Sequence, residues 1–225
     1  MPKRKMQQVE NFVKQTMTKE IAHDFKHADR VRNWALQIAQ DEGYHDLETV
    51  EVTALLHDIG LSYVENRSKH GEVGAQIARG FLIKKGLFTE DKIKEIVDAI
   101  RYHSSIKEGE GKLLEILCDA DTMDAFGAVG IMRAFTSKSS KPEYNPANIT
   151  GDNWGKSGRD FDVLFSKGIQ SGTYIVDQIN LQISYYDNLR TEIAKRLAKP
   201  FVEFMKNYII QLENELSHRQ KETSI

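Results

Sequence analysis

The sequence contains a single cysteine, Cys118, and only four prolines in 225 residues. One thiol excludes an intramolecular disulfide and any cysteine-based zinc cluster, and it suits a reducing cytoplasm. Few prolines leave helices uninterrupted. No run of 18 apolar residues occurs, so no membrane-spanning helix is expected. The basic N-terminal stretch MPKRKMQQVENF lacks an apolar core and does not read as a signal peptide. An excess of either charge is also lacking: 31 Lys plus Arg stand against 33 Asp plus Glu, a net charge of −2. That balance argues against a nucleic-acid polymer or a membrane surface as partner. Strand-period alternation and internal repeats are absent. What remains is helix-forming sequence, 40% hydrophobic, in a chain long enough to bury a sizeable core. An all-α fold is expected, as one domain over 1–225.

The apolar periodicity divides the chain. A first helix is expected over 4–22, with Met6, Val9, Phe12, Val13 and Met17 on one face. Asp24 reads as the N-cap of a second helix, whose face is His27, Val31, Trp34, Ala35 and Ile38. A third runs from Asp46 to His57-Asp58 and stops near Gly60. Ser68 is placed to cap a fourth, KHGEVGAQIARGFLIKKG, whose small residues suit close helix approach. Thr89 opens a fifth, with the stripe Ile93, Ile96, Val97, Ile100, His103. After the turn EGEGK, a sixth carries Leu114, Leu117, Cys118, Asp121 and Ala125 and continues toward Phe135. Residues 137–160 are rich in Ser, Asn, Gly and charge and read as a long loop, with Lys156 and Arg159 in it. Helix resumes over 161–218, where Pro200 is expected to kink or break the last segment. A frayed end is expected from Ser217.

Four apolar stripes end on polar groups: His27, His57 with Asp58, His103, and Asp121. His70 begins a fifth. A lone histidine on an apolar face is ordinarily a hydrogen-bonded core residue. Several such residues on separate helices are not independent accidents. An imidazole or carboxylate aimed at a core carries a desolvation cost unless something pairs with it, and a metal ion does so. Two imidazoles and two carboxylates form a mixed N and O donor set, which suits manganese, iron, nickel or cobalt better than zinc.

The pattern H…HD…D carried by His27, His57-Asp58 and Asp121 resembles the HD superfamily of metal-dependent phosphohydrolases. HDFKHADRV is similar to that family's first-ligand helix, ALLHDIG to its core helix, and LCDADTMDAFGAVGIMRAF to its last-ligand helix. KHGEVGAQIARGFL, IRYHSS and TEIAKRLAKPFVEFMKNYIIQLENEL resemble a bacterial and archaeal subgroup of small stand-alone members. The resemblance implies an HD-domain helical bundle with a metal-binding core over about 20–135 and additional C-terminal helices. It implies a divalent metal on His27, His57, Asp58 and Asp121, one ion being favoured and two allowed. Asp58, His70 and His103 take catalytic roles; His70 and His103 either bind a second metal or contact phosphate and move a proton. Arg30, at i+3 from His27, and Lys69, beside His70, are the substrate-binding candidates, with Arg101 behind them. Asp124 stands as a residue that fixes a ligand or a cation.

The implied reaction is hydrolysis of a phosphorylated small molecule, a nucleotide, with a nucleoside triphosphate pyrophosphohydrolase favoured. A nucleoside monophosphate phosphatase or a nucleotide phosphodiesterase keeps the metal and changes the substrate. A metal-stabilised scaffold that binds a nucleotide or a protein without turnover is the reading from another class. The amphipathic C-terminal helices could serve a homodimer, although burying the core explains them as well. HDFKH departs from the HExxH zinc-protease helix by Asp for Glu, and its first histidine, His23, falls before the helix begins. Cys118 has no evident base nearby and reads as core.

Overall fold

The computed structural model describes residues 2–20, 22–105 and 109–222, with side chains from Arg4 to Ser217 within those ranges. Among the described residues there are ten α-helices and no strands, in keeping with the all-α expectation. None is long and apolar enough to cross a membrane. Contacts divide the chain into two compact units, Met1–Asp124 and Ala125–Ile225.

The first unit holds α1 (Pro2–Thr16), α2 (Phe25–Asp41), α3 (Leu47–Leu56), α4 (His70–Lys85), α5 (Glu90–Tyr102) and α6 (Lys112–Met123). α2 packs against α3 and α6, and α4 against α5. Two short 3₁₀ helices, Ile59–Tyr63 and Arg67–Lys69, join α3 to α4. The core gathers Val9, Val13, Leu55, Leu56, Ile59, Leu82, Ile96 and Ile100, all with almost no solvent exposure. Each fully buried Leu or Ile contributes about 1.5–3 kcal/mol by leaving water.

Local chemistry sets the boundaries. α1 ends at Thr16, short of the expected 22, where the Thr18 hydroxyl accepts from the Glu20 N–H at 3.1 Å and replaces a helical bond. Asp24 caps α2 as expected, accepting from the N–H of Lys26 and His27 at 3.1 and 3.2 Å. Ser68 does not cap α4. The side chain of Asn66 accepts from the Ser68 N–H at 3.0 Å and starts the 3₁₀ turn, and α4 begins only at His70. α6 does not run on toward Phe135. The Asp124 N–H turns back to the Asp121 carbonyl at 3.2 Å, Phe126 is extended, and a new helix follows.

The second unit holds α7 (Gly127–Ser137), α8 (Gly158–Ser166), α9 (Ile175–Ser184) and α10 (Glu192–Glu222). Between α7 and α8 the long loop is tied to α9. The Pro142 and Glu143 carbonyls accept from Ile175 and Val176 at 2.9 and 3.1 Å, and Asn180 donates to Thr150 at 2.8 Å. The Lys156 ammonium is engaged by the Asp152 carbonyl at 2.6 Å. Helix resumes at Gly158, where Ser157 and Asp160 form a capping box. α10 passes through Pro200 without a break. Pro200 is exposed while Ala198, Val202 and Met205 are buried, so water can serve the carbonyl that proline leaves unpaired and packing holds the other face. α10 reaches Glu222; the rest of the frayed end expected from Ser217, residues 223–225, lies outside the described residues, as does Glu108 of the EGEGK turn.

Two glycines let α4 approach closely. A Cβ at Gly60 would sit 2.1 Å from the His70 carbonyl, and one at Gly71 would sit 2.5 Å from the Arg101 carbonyl. Gly80, also in α4, faces open space. Opposite signs are therefore expected on substitution. Gly60→Ala lowers stability by about 1–3 kcal/mol through overpacking, and Gly80→Ala raises it by about 0.5–1 kcal/mol through helix propensity. Urea denaturation followed by circular dichroism checks both. Equal effects would contradict the packing assigned to α4.

Candidate metal centre

Five histidines and two carboxylates of the first unit meet at helix ends. His27 lies in the first turn of α2, His70 opens α4, His57 and His103 are the C-caps of α3 and α5, and Asp121 is in the last turn of α6. Helix termini carry backbone groups without helical partners. The histidines use them: the Nδ1 of His57 lies 2.7 Å from the Ala54 carbonyl, that of His103 2.7 Å from Ile100, and that of His70 2.5 Å from Arg67. In every case the partner is three residues back. A carbonyl only accepts, so each Nδ1 carries the proton and each Nε2 lone pair is turned inward.

His27 reaches the same state by another route. Its Nδ1 lies 2.7 Å from a carboxylate oxygen of Asp124, which is itself held by Arg30 through Nε at 2.6 Å and Nη2 at 2.9 Å. Asp124 is almost completely buried. Arg30 is therefore committed to Asp124, and through it to the orientation of His27, the carboxylate–histidine arrangement common behind metal ligands.

The inward groups fall into two sets that share Asp58. The Nε2 atoms of His27 and His57 are 3.2 Å apart, and each lies 3.5 Å from Asp58 Oδ2. Asp121 Oδ1 closes this set at 3.3 Å from His27 and 3.8 Å from His57. The Nε2 atoms of His70 and His103 are 3.1 Å apart, at 3.4 and 3.5 Å from the other oxygen, Asp58 Oδ1. His23, which lies ahead of α2, adds a contact from its Nδ1 to Asp58 Oδ2 at 2.9 Å. Ala22 before it has φ +83°, a conformation rare outside glycine. The sequence places His23 ahead of the helix, near the site, but gives it no ligand role because it belongs to no stripe.

Burial disfavours ionised carboxylates here, but the surrounding histidines outweigh it. His57, His103, His23 and His27 hold Asp58 well below the usual carboxylate range, and His27 and His57 do the same for Asp121. Burial likewise opposes charge on His27, yet hydrogen bonds to Asp121, Asp124 and Asp58 raise its pKa well above the ordinary histidine value. His103 is raised by Asp58 against burial, whereas burial and the charge of His103 push His70 down. With every Nδ1–H already spent, each pair of facing Nε2 atoms requires one cation between them. A proton serves, and so does a metal ion. His27, His57 and Asp121 cluster tightly enough to hold one, as do His57, Asp58 and His103, and His23, His27 and Asp58. The donor set fits a divalent metal.

The structure thus brings together His27, His57, Asp58, Asp121, His70 and His103. It gives Arg30 to Asp124. It leaves Lys69 exposed. Cys118 is buried, its Sγ 3.2 Å from the His103 carbonyl.

Residues 24–126 match the HD domain family model. The chain is 28% identical over 227 residues to YpgQ, an uncharacterised protein of Bacillus subtilis, covering 97% of both chains. The crystal structure of YpgQ in complex with ADP superposes with a TM-score of 0.65 at 24% identity, covering 95% of this chain and 96% of that one. A predicted HD superfamily hydrolase from an uncultured Thermotogales bacterium is 26% identical with a TM-score of 0.64, covering 93% and 91%.

Neighbouring carboxylates raise the pKa of both His27 and His103 against burial, so a metal competes with protons at these imidazoles. Binding of Mn2+ near pH 7 is expected to release about one to two protons per chain and to weaken as pH falls. Calorimetry in buffers of different ionisation enthalpy measures the release. Binding without proton release would contradict this account.

Proposed function

From the premise that this chain carries an HD domain over residues 24–126, we propose that it is a metal-dependent phosphohydrolase acting on a nucleotide, with pyrophosphate release from a nucleoside triphosphate as the favoured reaction. The observation that carries this reading is the division of one buried carboxylate, Asp58, between two pairs of imidazoles. His27, His57, Asp58 and Asp121 hold one divalent ion. His70 and His103, with the second oxygen of Asp58, are the donors for another. Four ligands complete the first set, which favoured a single ion in the sequence. The 3.1 Å approach of His70 to His103 across Asp58 Oδ1 supports two.

When bound, divalent ions polarise phosphoryl oxygens and lower the pKa of coordinated water. The protein's part is to place them. The buried cluster keeps Asp58 ionised and fixes five imidazole rings before substrate arrives. Asp124 and Arg30 hold His27 in the tautomer that a ligand needs. Asp121, at 36% side-chain exposure, is the acid of the set that faces outward. The ADP bound by YpgQ supports a nucleotide as the ligand class.

Metal-dependent release of pyrophosphate from nucleoside triphosphates is expected with Mn2+, Co2+, Ni2+ or Mg2+, and its loss in His57→Ala. Assays of pyrophosphate and phosphate, run separately, decide it. Phosphate alone would replace the proposal by a monoesterase. Silence across nucleotides in a protein that still binds metal would replace it by a binding scaffold.

A further inference from the structure

The two segments that deliver His70 and His103 to Asp58 also line a second space. Residues from the 67–72 and 101–105 segments line an open cavity of about 580 Å3 on the flank of His70, within the first unit. Its lining includes Arg67 and Arg101 with Ser68, Ser104 and Ser105. Tyr102 and one acid, Glu72, complete it. The volume is within the range of small-molecule sites, and the lining is more polar than apolar. The donors are those that phosphoryl oxygens select: guanidinium forks and hydroxyls.

Both arginines have exposed partners. Arg67 pairs with Glu20, and Arg101 lies 3.4 Å from Asp98. Pairs of this kind are weak and exchange readily, so each guanidinium is available to a stronger anion. His70 ties the cavity to the metal centre. Its ring lines the wall, and its Nε2 faces His103 and Asp58 Oδ1.

The geometry points to this cavity as a subsite for the phosphate chain of the substrate, gripped by Arg67 and Arg101 beside the centre that hydrolyses it. The inference rests on the phosphohydrolase reading for its substrate, and it deepens that reading. The guanidinium and hydroxyl groups respond to the chain length of the phosphate. Of the candidates the sequence offered, Arg101 keeps the binding role and Arg67 joins it; Arg30 is held by Asp124, and Lys69 is not among the lining residues.

The test compares the metal-loaded wild type with Arg67→Ala/Arg101→Ala, with Ser104→Asp, which puts a carboxylate into the cavity, and with Lys84→Ala/Lys85→Ala, which removes the same charge from the end of α4. Loss of an interaction made equally in ground and transition states raises KM and spares kcat. The arginine variant is expected to raise KM for a nucleoside triphosphate roughly tenfold with kcat within about twofold, and Ser104→Asp to act in the same direction. The lysine variant stays at the wild-type KM. Inorganic tripolyphosphate, with metal in excess, is expected to bind the wild type and to lose at least about tenfold in affinity in both cavity variants. Unchanged KM and tripolyphosphate affinity in both, or an equal loss in the lysine variant, would overturn the subsite while leaving the hydrolase reading standing. Tripolyphosphate binding that depends on the arginines, in a protein that turns over no nucleotide, would do the reverse.

Discussion

Everything in the first unit is arranged around the carboxylate of Asp58. It is 4% exposed and ionised, a state that burial alone would forbid. Histidines at the ends of four helices and His23 ahead of α2 repay that cost, two on each oxygen and His23 in addition. The requirement works backward onto the fold. α4 has to enter within contact of the Asp58 turn and of the end of α5, and Gly60 and Gly71 are the positions where a side chain would prevent it.

A second constraint is the tautomer. Imidazoles packed this tightly form a donor set only if all present the same face. Three of them are fixed by a carbonyl three residues back, available because each sits where a helix or 3₁₀ turn ends. His27 is near a helix start, where no such carbonyl is offered. The buried Asp124, gripped by Arg30, stands in its place. One chemical requirement is thus met by two structural devices, chosen by which end of a helix the ligand occupies.

Much of this was legible in the sequence. Stripes of period 3.6 that end on His27, His57, His103 and Asp121 predict inward-facing polar groups, and the all-α fold follows from the same periodicity. The residues that periodicity does not reach are those whose roles depend on long-range contact. His23 precedes its helix, and its contact with Asp58 spans 35 positions. Arg30 looked like a phosphate ligand because it is one turn from His27, but its partner Asp124 is 94 positions away. Pro200 breaks helices on average, and tertiary packing of Ala198, Val202 and Met205 overrides it. Ser68 does not cap α4 because Asn66 draws it into a 3₁₀ turn that precedes the helix, a choice that sequence pattern leaves open.

The most direct test of the shared carboxylate is the number of metal ions per chain, measured by elemental analysis after loading with Mn2+ and removal of free metal by gel filtration. Two ions are predicted in the wild type, one in His70→Ala, and none in Asp58→Ala that remains helical by circular dichroism. Asp58→Ala retaining the wild-type metal content would contradict the account.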